Sequence, residues 1–358
     1  MNTALQRFIE KTNSMTAKYA ARKAERLFRT NRLNAILILI IMLLIWAPAA
    51  LGQELYLLGG AINNTDSGDR SYAWALEYMQ GLGKYTAVSV SWLNEGHLPN
   101  NHRDGISAQL WGRVNLFHQR FSLAAGIGPY LFYDTLQARN GRGFSDTHGE
   151  GAIASIAGIW YTESRWLLQV RANWIETGNS IDTASVMFGI GYQLDAPPVR
   201  GPLSAAPPQR ERTTRNEITV LIGQTIVNSL GSQQATAQSV EYRRGLARYV
   251  DATVAWLNEG DERLYRRNGL LAQLWAVREF LDDRIALGIG FGPYWLIDSY
   301  RDVSPANQGG HDRIAGIVSL TASYRVTADW ALRLSWNRIA TSYNQDSDVI
   351  MAGPSYRF

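Results

Sequence analysis

The chain has 358 residues, room for two domains of ordinary size, and no cysteine, which excludes disulfides and thiolate chemistry. Its net charge of +4 is concentrated at one end. Residues 1–52 hold eight basic residues (Arg7, Lys11, Lys18, Arg22, Lys23, Arg26, Arg29, Arg32) and two acids (Glu10, Glu25); removing them from the totals of 35 and 31 leaves 27 basic and 29 acidic residues, a balance with no nucleic-acid-binding signature.

The only long apolar run, AILILIIMLLIW at 35–46, is shorter than the ~20 residues a membrane-spanning helix needs. Basic residues precede it, and Ala50 and Gly52 place small residues three and one before Gln53. This is the pattern of a secretory signal over 1–52, cut after Gly52, with an uncleaved signal anchor as the alternative. Either way the remainder is exported.

From there the chain reads as eight strands, near 54–63, 70–80, 84–95, 104–115, 119–134, 149–161, 165–176 and 183–194. GLGK, LFHQ and TESR are tight turns between them, whereas NTDSGDR, GHLPNNHRD and LQARNGRGFSDTH are longer polar loops and TGNSID is intermediate. Short turns on one side and long loops on the other is the pattern of an outer-membrane barrel with its long loops outside the cell. Parity agrees. Phe121, Leu123, Ala125, Ile127, Pro129, Leu131 and Tyr133 form a bulky apolar face, while Ser122, Ala124, Gly126, Gly128, Tyr130, Phe132 and Asp134 form a mostly small or polar one. Such runs are long enough to cross a bilayer at a tilt, which takes about 9–11 residues.

The stretch 195–217, DAPPVRGPLSAAPPQRERTTRNE, reads as a proline-rich polar linker. Beyond it the first unit returns. WLNEG at 92–96 recurs at 256–260, AQLW at 108–111 recurs at 272–275, and GPY at 128–130 recurs at 292–294, all shifted by 164. The same shift relates Trp166 to Trp330, Asn173 to Asn337 and Tyr192 to Tyr356. Residues 53–194 and 218–358 are therefore two copies of one unit. The chain ends on a strand whose Ile350, Ala352, Pro354, Tyr356 and Phe358 share a face, resembling the terminal signal read during outer-membrane assembly. The fold expected is all-β: a transmembrane antiparallel barrel, as two tandem eight-stranded barrels. The 23-residue linker favours two rings, since one sixteen-stranded ring, the alternative, needs only a tight turn there.

An eight-stranded ring has an interior that side chains nearly fill, so an open pore is not expected. Parity points Glu77, Gln109, Trp111, Tyr130, Asp134 and Asn173 inward, with Glu241, Gln273, Trp275, Tyr294, Asp298 and Asn337 in the second copy; Arg113, Arg171 and Arg333 join them. These read first as a charge-paired plug. At the outer strand ends, Glu95, Asp134 and Asn173, with Glu259, Asp298 and Asn337, are the candidate site residues. His97, His102 and Asp104 adjoin them, and a carboxylate with histidine suits general-base chemistry or a metal. The second copy has Asp261 and Arg266 in place of the two histidines, which weakens a shared His-dependent site. His148 and His311 occupy matching long loops. GIGFG at 288–292 lies on a strand and is no phosphate loop, and no GxSxG or HExxH is present. No cofactor and no metal is expected.

AAGIGPYLFYDT at 124–135, the small-residue strand after it, and WLLQVRANWIETGN at 166–179 resemble the last four strands of the lipid A 3-O-deacylase barrels. More loosely, each copy is similar to small OmpA-like barrels. The deacylase resemblance implies a catalytic His and Ser two apart in or just after the seventh strand. Here stand Asn173-Trp174-Ile175-Glu176 and Asn337-Arg338-Ile339-Ala340, without that pair. The expectation is an outer-membrane protein that anchors, binds surfaces or assists polymer export through its outer loops. A lipid A- or glycan-modifying enzyme and a pore are the alternatives. Expected partners are outer-membrane lipids and lipopolysaccharide, the barrel assembly machinery and surface polysaccharide, with no nucleic acid.

Overall fold

The computed structural model describes residues 51–137, 144–194, 201–202, 215–229, 232–261, 266–281, 283–297, 313–341 and 345–358. Residues 1–50 of the expected signal and most of the expected linker lie outside these. The first eight strands are β1 (Leu51–Asn64), β2 (Arg70–Gly81), β3 (Thr86–Leu98), β4 (Asn101–Leu116), β5 (Phe121–Gln137), β6 (Phe144–Tyr161), β7 (Trp166–Thr177) and β8 (Thr183–Gln193). They are followed by β9 (Asn216–Val227), β10 (Gln234–Ala247), β11 (Val250–Asp261), β12 (Arg266–Phe280), β13 (Ile285–Leu296), β14 (Ile314–Arg325), β15 (Trp330–Ala340) and β16 (Ser347–Arg357).

Each set of eight closes on itself, antiparallel throughout. β1 pairs with β8 in the register Leu57↔Ile190, and β16 pairs with β9 in the register Val349↔Thr225. A strand has only two edges. With the free edges of β1 and β8 spent on each other, none is left to join a larger ring, and the sixteen-stranded alternative is set aside.

The alternating pattern works in the sense a membrane demands. Leu57, Leu110, Ile127, Leu168 and Ile190 stand exposed around the first ring, as do Val220, Ile222, Leu274, Leu332 and Leu334 around the second. Inside lie Tyr56, Glu77, Trp111, Arg171 and, in the second ring, Glu241, Trp275 and Arg333, all buried. A continuous apolar belt outside and charge inside is stable only where the outer solvent is hydrocarbon. Aromatic pairs mark the short-turn side of the belt: Trp166 meets Tyr192 at 5.1 Å between ring centroids, and Trp330 meets Tyr356 at 5.0 Å. Toward the opposite rim Trp74, Trp174, Trp256 and Trp295 are exposed, completing the two girdles of a membrane barrel. The small residues of the inner face make room for the large ones. A Cβ on Gly126 would lie 2.5 Å from the Trp111 ring, and one on Gly290 would lie 2.4 Å from the Trp275 ring.

The strands differ from expectation at the long-loop ends. Residues 96–104, expected as a loop, belong mostly to a hairpin that continues through His97↔His102 and Leu98↔Asn101. It turns at Asn100, whose φ is 60°. β5 and β6 likewise stay paired out to Gln137↔Phe144. Polar sequence there marks strands leaving the apolar belt rather than strands ending, because a hairpin in water satisfies its backbone without any apolar face. β1 starts at Leu51, two residues before the expected mature start. Of the linker, Gly201 is held to the first barrel, its carbonyl accepting from Gln193 Nε2 at 3.1 Å.

Closed rings of this kind resist detergent until heated. The full chain extracted from membranes should migrate differently on gels with and without boiling; identical mobility would contradict closure.

Candidate functional site at the outer rim

The repeated WLNEG segment builds the rim at the long-loop end of each ring. In β3 the tryptophan side faces out, Leu93 and Glu95 face in, and a bulge between Asn94 and His97 breaks the register with β4. Asn94 Oδ1 accepts from the Gly96 amide at 3.0 Å, as Asn258 Oδ1 does from Gly260 at 2.9 Å. Both glycines have positive φ, 67° and 91°. A Cβ on Gly96 would sit 2.2 Å from the Tyr72 carbonyl oxygen, so the position admits only glycine. The motif is thus a β-bulge that aims a glutamate into the barrel mouth.

Glu95 enters a closed set of partners. Arg103, eight residues on, binds it in a fork, Nε to Oε2 and Nη2 to Oε1, the latter at 2.8 Å. Thr183 donates to Oε1 at 2.6 Å and Tyr130 donates to Oε2 at 2.7 Å. Arg103 also donates to the Ile181 carbonyl at 2.5 Å. The second barrel repeats this. Arg267 forks onto Glu259, Ser347 donates to Glu259 at 2.6 Å, and Arg267 reaches the Gln345 carbonyl at 2.9 Å. Sequence reasoning singled out the two glutamates and missed Arg103 and Arg267. The available signal was the 164-residue shift, which relates these arginines as it relates the glutamates.

The other candidate residues fall elsewhere. Asp134 is buried and accepts from Ser180 Oγ beside the Arg103 site; Asp298 lies outside the described residues. Asn173 belongs to a layer deeper in the lumen. It accepts from Ser155 at 2.7 Å and from Arg171 Nε at 2.5 Å, and donates to Ser185 at 2.9 Å. Asn337 accepts from Ser319 at 2.6 Å and donates to the Val349 carbonyl at 3.1 Å. In that layer Gln109 and Gln273 bond Ser155 and Ser319 at 3.0 and 2.8 Å. Trp111 and Trp275 bond Ser89 and Thr253 at 2.8 and 2.9 Å. Arg171 pairs with Glu77 at 2.5 Å in the first barrel. In the second, Arg333 takes this role with Glu241 at 2.6 Å and with Glu217. Near the short-turn end of the second barrel a cavity of about 20 Å³, the size of a water, is lined by Glu217, Arg243, Asp251, Arg325, Arg333 and Arg357.

Chemically, a glutamate held by a forked arginine, a hydroxyl and a phenol has its lone pairs engaged and is poorly placed to take a proton. His97 and His102 pack across β3 and β4 with ring centroids 4.2 Å apart and planes tilted by 38°. His102 Nε2 lies 3.9 Å from Asp104. Among the described residues no group of three or more His, Asp or Glu side chains is arranged to hold a metal ion.

Asp104 points outward, accepts from Asn94 Nδ2 of its own barrel and faces a cation of the other barrel. Arg338 of β15 lies 3.6 Å from Asp104 and 2.8 Å from Asp348 of its own barrel, with its guanidinium 5.0 Å over the Tyr133 ring. Asn228, in the amide orientation that satisfies both groups, donates to Asp348 at 3.1 Å and accepts from Arg338. His148 bonds Asp346 at 2.6 Å, and the Asp346 amide donates to Asp146 at 3.2 Å. Below these, Trp92 and Trp336 meet edge to face at 3.9 Å. Tyr78 meets Phe280 at 6.4 Å. The barrels stand side by side, sharing a polar seam at the outer rim.

No protein-family model matches the chain, and no curated protein matches it. Among solved structures, it is similar to the N-terminal β-barrel domain of Pseudomonas aeruginosa OprF (10% identity, 40% of this chain and 98% of that one, TM-score 0.33). It is also similar to Ail, the attachment invasion locus protein of Yersinia pestis (12% identity, 40% and 98%, TM-score 0.30), and to Neisserial surface protein A (9% identity, 40% and 98%, TM-score 0.34).

Removing one member of a buried ion pair strands the other, at a cost of about 3–5 kcal/mol. Arg103→Ala should therefore lower the urea midpoint of folded protein in lipid vesicles far more than Arg103→Met combined with Glu95→Gln. Equal losses would show that the pair is not what stabilises the rim.

Proposed function

We propose that the protein is an outer-membrane anchor that works at the cell surface through its outer loops, in surface interaction or in assisting the export of envelope polymer. The observation that carries this reading is the filling of both lumens. Each is crossed by stacked ion-paired and hydrogen-bonded layers built on Glu95–Arg103 and Glu77–Arg171 in one barrel, Glu259–Arg267 and Glu241–Arg333 in the other. Side chains so used fill those layers and commit their carboxylates to ion pairs. What remains for function is the surface the two rims present.

The outer membrane is the setting these rings suit, since closed barrels with apolar belts and aromatic girdles are its characteristic spanning structures. Lipopolysaccharide and neighbouring lipids would then surround the belt. β16, with exposed Ile350 and Tyr356, would add its apolar face to that belt. Surface polysaccharide is the ligand class we favour for the loops, given their polar composition.

Two measurements test this. Purified protein in planar bilayers should give no conductance above the bare membrane; discrete openings would restore the pore reading. Replacing residues 138–143 and 299–312, which join β5 to β6 and β13 to β14, with short Gly-Ser turns should abolish capsule or exopolysaccharide display by expressing cells while heat-modifiability persists. Undiminished display would move the function off these loops, and a changed lipid A mass spectrum on expression would favour the enzyme.

A further inference from the structure

The two copies share the rim fork and the Gln–Ser–Asn chain of the lumen, and they differ where they meet. On the first barrel the seam presents Asp104, Tyr133 and His148; the matching positions of the second copy hold Asn268, Ile297 and Asp312. On the second barrel the seam presents Trp336, Arg338 and Asp348; the matching positions of the first copy hold Ala172, Trp174 and Ala184. Exposure follows the same division. Trp92 is 4% exposed against 37% for its counterpart Trp256, and Ile106 is 7% exposed against 45% for Leu270. Asp346 shows the step most simply. Its Oδ1 accepts from the Thr341 amide at 2.8 Å, as Asp182 Oδ1 does from Thr177 at 2.8 Å. Its Oδ2 is additionally bound to His148 of the other barrel.

Arg338 and Asp104 face away from their own lumens, where an unpartnered charge would meet lipid or its headgroups. A lipid-facing Arg costs about 2–4 kcal/mol at mid-bilayer, falling toward the rim. Each is answered across the seam. Burial alone would raise the Asp346 carboxyl, but the His148 bond and the Arg338 charge hold it below its ordinary range, so it stays ionised.

We propose that this seam is a dedicated docking interface: the outward face of β3–β6 in the first barrel is a receptor for the outward face of β15–β16 in the second barrel of the same chain. The contact is head-to-tail, since different faces of one ancestral unit meet. A head-to-tail contact repeats indefinitely when both faces are kept on every unit. Here each copy keeps only one, so assembly stops at two. The linker raises the local concentration of the halves but does not hold them together; the seam does.

The test uses the full chain with a protease site inserted after Leu203 and an affinity tag at the C-terminus. After folding in membranes and cleavage, the untagged first barrel should be recovered with the tagged second in mild detergent. Arg338→Trp with Asp348→Ala installs the residues that the first copy carries at these positions. It should reduce that recovery at least tenfold while both halves remain heat-modifiable. Exchanging the charges, Asp104→Arg with Arg338→Asp, should retain more recovery than either single change. The proposal is overturned if wild-type halves separate on cleavage, or if the double variant is recovered like wild type. It is equally overturned if mixed tagged and untagged chains show that the halves pair between chains.

Discussion

Closure of eight strands into one ring is the constraint on which the rest depends. Once β1 and β8 spend their edges on each other, no backbone group faces lipid unpaired, and the ring can live in hydrocarbon. The same closure fixes a lumen too narrow for bulk water and too large to leave empty. Every inward side chain must then pack, and every inward charge must find its opposite, because an ion buried alone is costly. The Glu95–Arg103 fork, the Trp111 ring against Gly126 and the Gln109–Ser155–Asn173 chain answer that one demand.

The second copy shows how loosely the demand specifies its solution. The rim fork and the Gln–Ser–Asn chain are kept, while the layers beneath are rewired. In the first barrel Glu54 is held by Tyr56 at 2.5 Å and Tyr161 at 3.1 Å. At the matching place in the strand register the second barrel has Glu217, bound to Arg333 in a chain with Glu241 and Arg243 instead of to two phenols. Charge balance and volume were conserved and particular partners were not. Outside, selection acted differently: the belt kept its apolar character except along the seam, where the copies became complementary.

Much of this is legible in the sequence. Period-two alternation and the 164-residue shift carry the strand count, the inward set and the duplication, because side-chain parity is a property of the strand itself. Only β9 departs from the gap-free shift, lying 163 residues from β1 in register, one residue having been lost before β10. WLNEG was visible as a repeat, yet its meaning was not, since a bulge is a matter of backbone conformation that Gly96 permits without announcing. Arg103 was passed over because it lay in what read as a loop; the hairpin's continuation above the membrane turns it back toward Glu95. Asp346 and His148 stand 198 residues apart and share no pattern, so their meeting depends on how two finished barrels pack. Arg338 left a trace, a charge at an outward position where the other copy has Trp174, and that kind of asymmetry between repeats is worth reading for.

Cross-linking across the strand closures tests the central claim most directly, in a chain that has no cysteine of its own. Leu57→Cys with Ile190→Cys joins β1 to β8, and Ile222→Cys with Ala352→Cys joins β9 to β16; both pairs are direct neighbours in register. Two self-closed rings predict that each pair cross-links in folded protein, whereas Ile190→Cys with Ile222→Cys does not. Cross-links from β8 to β9, with none from β1 to β8, would mean a single large ring and would contradict the account.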